Sequence, residues 1–130
     1  MKFLADKSEL LYGLLRIVAG FLFLCHGAQK IFGVFGGTQV ELISQIGLAG
    51  VIELVGGALI LIGLWTRWAA FLASGLMAVA YFLAHAGDAL LPIQNRGELA
   101  VIYSFLFLYI ASRGSGKLSV ASALKKRGLD

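Results

Sequence analysis

Four apolar stretches of this chain read as crossing a lipid bilayer, the last of them short, and two of them carry a charge in their interior. Arg16 stands in LLYGLLRIVAGFLFL and Glu53 in GLAGVIELVGGALILIGLW. A charge at bilayer depth costs roughly 2.5–3.5 kcal/mol on insertion scales, so it faces a bundle interior and marks function. His26, Lys30, His85 and Glu98 stand near the ends of the apolar stretches. The chain therefore has to hold polar chemistry inside an apolar shell.

Composition excludes a water-soluble fold. Hydrophobic residues make up 59% and charged residues 14%, against roughly 25% charged in a soluble domain, and the mean hydropathy is +0.88. At 130 residues the chain is one domain, 1–130. A span needs about 20 mostly apolar residues, which predicts membrane helices over Leu10–Phe32, Ile46–Trp65, Trp68–Ala86 and Glu98–Ser112. Lys2 and Lys7 precede the first stretch as in a signal peptide, but Arg16 interrupts its core, so it reads as a retained first helix. The single cysteine, Cys25, excludes an intramolecular disulfide and a CxxC motif, and reads as a small buried apolar residue.

The connections are short except the first. Thr66-Arg67 forces a tight hairpin between the second and third stretches. In the first loop, Gly33 to Gln45, Thr38 and Glu41 have capping-box spacing, which predicts a short amphipathic helix running into the second span. The third loop, Gly87 to Gly97, carries Pro92 and Gln94-Asn95-Arg96. Lys2, Lys7, Arg67, Arg113, Lys117, Lys125, Lys126 and Arg127 fall on one side and only Lys30 and Arg96 on the other. This asymmetry predicts both termini in the cytoplasm. The basic Lys125-Lys126-Arg127 run then reads as a topology signal touching anionic lipid, not as a nucleic-acid contact.

Small residues recur every seven positions: Gly13, Gly20 and Gly27; Ala49, Gly56 and Gly63; Ala73, Ala80 and Gly87. Such seams let helices pack closely. The expected fold is all-α, an integral membrane four-helix bundle, up-down-up-down, with both termini inside.

Counting from the cytoplasmic end, Arg16 lies roughly 9 Å deep, Glu53 about 18 Å and Glu98 about 21 Å. His26 follows at roughly 24 Å and His85 at about 27 Å. Arg16, Lys30 and His26 share one face of the first helix, which makes Glu53 the expected counter-ion of Arg16. The structural reading is a buried ion pair that specifies packing, with Lys30, Arg67 and Arg96 snorkelling and Trp65, Trp68, Tyr12, Tyr103 and Tyr109 as anchors or core. The functional readings are a haem between His26 and His85, zinc or iron held by both histidines and a carboxylate, and a quinone head group met by His, Arg and Glu beneath an apolar mouth. The cluster alone leaves these open.

The motifs together resemble the DoxX family of small bacterial membrane proteins. The resemblance rests on Arg16 with Gly20, His26-Gly27 and Lys30; on Glu53 with Gly56-Gly57, Leu61-x-Gly63 and Thr66-Arg67; and on Asn95 to Glu98 and Gly114-x-Gly116-Lys117-Leu118-Ser119. It spans Leu10 to Ser119, and departs from the family at Val120-Ala121, where Leu-Asp is common. The family resembles a set of quinone-linked oxidoreductase subunits, including the membrane partner of a thiosulfate:quinone oxidoreductase. The resemblance implies quinone as cofactor, with Arg16, His26 and Glu53 forming the internal site and Lys30, His85 and Glu98 its outer mouth. The expected partners are the lipid bilayer, a soluble redox enzyme and a second copy of the chain. The competing readings are a non-catalytic scaffold docking such an enzyme and a small-solute or proton pathway.

Overall fold

A computed structural model describes residues 1–127; the last three residues of the expected 1–130 domain lie outside the described residues. The elements are α1 (Lys2–Ala5), α2 (Ser8–Phe32), α3 (Gln45–Ile62), α4 (Thr66–Ala84), α5 (Glu98–Arg113) and α6 (Val120–Lys126). Among the described residues there is no strand. Helices α2, α3 and α4 are long and apolar enough to cross a membrane; α5 has 16 residues, about 24 Å of helix.

Glycine decides where the first two long helices stop. Gly33 closes α2 at φ 65° and Gly63 closes α3 at φ 74°, both left-handed, a conformation that costs residues with a Cβ. Because Gly63 ends α3, the hairpin to α4 occupies residues 63–65 and Thr66 already begins α4, slightly earlier than the Thr66-Arg67 connection expected. The start of α3 also differs from expectation. Residues 38–44 form no helix, and the cap is Ser44, whose hydroxyl accepts from Gly47 N at 2.9 Å. Instead of starting a helix at Thr38, the segment folds back on α2, with Val40 N donating to Lys30 O at 2.9 Å.

α2 and α3 run antiparallel in backbone contact. A Cβ on Gly20 would lie 2.5 Å from Leu61 N, one on Gly27 2.3 Å from Leu54 N, and one on Gly57 2.5 Å from Leu24 N. Without side chains at these positions the backbones close on each other, and van der Waals contact drives helix association in hydrocarbon. On α3 the seam is Gly50 and Gly57, one residue on from the expected Ala49, Gly56 and Gly63; Gly56 faces α4, with Ala69 O as its neighbour. Gly13 meets Leu118 of the closing motif instead of a helix, and nothing approaches Gly87.

α4 and α5 form the second antiparallel pair. Ser74 Oγ donates to Ser104 O at 2.7 Å and Ser104 Oγ to Ser74 O at 3.2 Å, a reciprocal clamp. The two pairs meet through Phe23, Ile60, Ala70, Ala73 and Phe107, all fully buried. Phe23 and Phe107 rings lie 4.7 Å apart. The outward faces carry exposed Leu14, Val18, Phe21, Val55, Phe71 and Phe105, a surface suited to hydrocarbon and not to water.

Candidate functional site

The charged residues sort to opposite ends of the helices. Arg16 is fully buried, and its guanidinium donates to the carbonyls of Ile60, Leu61 and Leu118. The last carbonyls of a helix have no partner within it and form the negative end of its dipole, so the end of α3 takes the place of a counter-ion. The planar fork of arginine suits several carbonyls at once. Among the described residues, Arg16 Nε alone of the guanidinium nitrogens lacks a partner. The expected Arg16–Glu53 ion pair is therefore corrected, since Arg16 turns toward the C-terminal end of α3 at Leu61, about two turns beyond the mid-helix Glu53.

The closing motif is built around this cap. Ala121 N donates to Gly63 O at 3.2 Å, Tyr12 donates its hydroxyl to Gly114 O, and the Thr66 and Ser115 hydroxyls lie 2.9 Å apart. Arg67 repeats the device on the other helix pair, donating to Ala111 O at 3.0 Å and Ser112 O at 2.6 Å at the end of α5. Arg67 thus has carbonyl partners where the sequence suggested snorkelling.

Glu53 pairs with Lys30. Lys30 Nζ lies 2.5 and 2.6 Å from its two carboxylate oxygens, and the carboxylate side chain is 3% exposed against 31% for the lysine. Lys30 stands roughly 21 Å beyond Arg16 along α2. The pair lines a partly open cavity of about 690 Å³ between the two helix pairs, at the end of the α2–α3 and α4–α5 loops. Its walls are mainly apolar, with Ile52 and Ile46 on one side and Leu76, Met77 and Leu83 on the other.

Of the residues expected at the site, His26, Lys30, Glu53 and His85 line this cavity; Arg16 and Glu98 do not. Glu98 is exposed at the first turn of α5. His85 caps α4, with Nδ1 3.0 Å from Asn95 O; a carbonyl accepts only, so Nδ1 carries a hydrogen. Three further polar residues line the cavity, Gln45, Arg96 and Tyr103. Arg96 holds a left-handed backbone at φ 61°, a strained state for a residue with a Cβ. Its neighbour Asn95 is 2% exposed and builds the loop, donating to Ala89 O and Tyr81 Oη at 3.1 Å each and accepting from Gly97 N at 2.9 Å. The Asn-x-Gly spacing is a legible turn signal; the inward aim of Tyr103 has no counterpart in the sequence. Among the described residues no three His, Cys, Asp or Glu side chains gather as a metal site would need.

An all-helical chain with several membrane-length helices and an apolar outer surface is a helical membrane protein. The family model described as DoxX matches residues 11–86, from α2 to the end of α4. The chain is 41% identical over 120 residues to an uncharacterized protein of Haemophilus influenzae, covering 87% of this chain and 90% of the relative. A second uncharacterized protein of the same organism is 32% identical over 74 residues, 57% of this chain and 49% of that protein. This chain belongs to the DoxX family. No solved structure matches it.

Proposed function

We propose that the protein is a quinone-interacting subunit of a redox system in the bacterial inner membrane. In this reading α2 to α5 form an up-down-up-down four-helix bundle with both termini cytoplasmic, and the cavity opens toward the outer face. The single observation that carries the reading is the Lys30–Glu53 pair, with its carboxylate buried, in the wall of an otherwise mainly apolar cavity of about 690 Å³. An apolar pocket with a few convergent polar groups suits a ring with polar edges. A bound quinone would supply two-electron, two-proton redox chemistry. The chain's own part is to bind and orient the ring: Lys30 donates to a ring oxygen, Glu53 holds Lys30 in place, and His26 and His85 stand at the rim as groups able to carry a proton.

Quinone content is the test. The protein is purified in native lipid, extracted, and its quinone measured by mass spectrometry per mole of chain. The expected outcome is bound quinone in the wild type and little in Ala80→Trp, which fills the cavity. Equal content in the two would overturn the reading. A scaffold role is the second reading, carried by the exposed Lys117, Lys125, Lys126 and Arg127 at the opposite end; a stable soluble partner recovered with quinone-free protein would favour it.

A further inference from the structure

Tyr103 is 6% exposed, yet its hydroxyl has no hydrogen-bond partner among the described residues, while the ring lines the cavity. The other inward tyrosines are satisfied: Tyr12 donates to Gly114 O, and Tyr81 Oη accepts from Asn95 Nδ2. A buried tyrosine normally finds a partner for its hydroxyl. Among the described residues Arg16 Nε is the only buried side-chain polar atom both sealed off and unpartnered, so the Tyr103 hydroxyl keeps some accessible surface, and Tyr103 is a lining residue of the cavity. The ring is held in place. It stacks on Phe107 at 5.3 Å with planes 10° apart and lies 6.1 Å from Phe23, so the hydroxyl direction is set before any ligand arrives.

Resting on the reading of the cavity as a quinone pocket, we infer that the Tyr103 hydroxyl is a ligand-contacting group that donates a hydrogen bond to a ring oxygen. Lys30 reaches the cavity from α2 and Tyr103 from α5, so two donors address the ligand from the two helix pairs. The preferred ligand is then a ring carrying two oxygen acceptors, and a hydrocarbon ring of equal size lacks what either donor needs. Tyr103 lies beyond the segment matched by the family model, residues 11–86, so this contact belongs to the second helix pair and completes the pocket there.

The experiment titrates a short-chain ubiquinone into purified protein in detergent, comparing wild type, Tyr103→Phe and Ala80→Trp, with a melting curve for each. Tyr103→Phe keeps the stacked ring and removes only the hydroxyl. The expected result is roughly tenfold weaker binding, the worth of one hydrogen bond, with an unchanged melting temperature. Unchanged affinity in Tyr103→Phe beside lost binding in Ala80→Trp would overturn the role of Tyr103 and leave the pocket standing. A lowered melting temperature with unchanged affinity would make the hydroxyl structural and likewise overturn it. Full binding in Ala80→Trp would remove the pocket itself, and the inference with it.

Discussion

Lys30 Nζ bridges both carboxylate oxygens of Glu53, at 2.5 and 2.6 Å, across the contact between α2 and α3. The pair is lopsided, because the carboxylate is buried and the ammonium is partly exposed. Gly50 helps to create it: a Cβ there would lie 3.0 Å from Lys30 Cβ, so its absence leaves room for the lysine stem along α3.

Breaking this pair should be asymmetric. Lys30→Met strands a buried carboxylate and should cost about 3 kcal/mol, whereas Glu53→Gln leaves a lysine that can turn to solvent and should cost clearly less. The double variant should be milder than the sum of the singles. Melting curves over the full cycle check this. An Arg16–Glu53 cycle should instead be additive within about 0.5 kcal/mol, because these two residues share no partner.

Arg16 should matter for stability and not for the cavity. Arg16→Lys keeps the charge but lacks the fork that serves three carbonyls, and should lose about 2 kcal/mol. Bound quinone per folded chain should stay at the wild-type level. A normal melting temperature with depleted quinone would place Arg16 in the binding machinery after all.

The glycine seam gives the sharpest contrast. Gly20→Ala and Gly27→Ala drive a methyl into the backbone of α3 and should each cost about 3 kcal/mol, at the upper end of overpacking. Gly75 is helical with nothing within 4 Å of its would-be Cβ, so Gly75→Ala should gain up to about 1 kcal/mol from helix propensity. Chemical or thermal unfolding of the three variants separates the cases, and equal effects would refute the register of α2 on α3.

Orientation can be read with reporter fusions. A fusion at the C-terminus should score cytoplasmic and one inserted at Gly36 external, as the excess of basic residues on the terminal side requires. The reverse pattern would put the cavity mouth on the cytoplasmic face.

Hydropathy is a local property, so the helices were legible in the sequence. The expected Leu10–Phe32 and Glu98–Ser112 agree closely with α2 and α5; of the six site residues expected from their depth and motifs, His26, Lys30, Glu53 and His85 line one cavity and Arg16 and Glu98 do not. The start of α3 was misread because Thr38-to-Glu41 spacing is a local preference, and the return of Val40 onto Lys30 O overrides it.

Partnership was decided by tertiary structure. A seven-residue glycine repeat fits α3 in two registers one residue apart, and helix rotation selects Gly50 and Gly57 as the pair that meets α2. Charge alone made Glu53 the natural mate of Arg16, yet Arg16 is satisfied by the main-chain carbonyls of Ile60, Leu61 and Leu118. Every residue carries such a carbonyl, so no residue type announces it; only the end of a helix, set down beside the right side chain, makes it an acceptor for a buried charge.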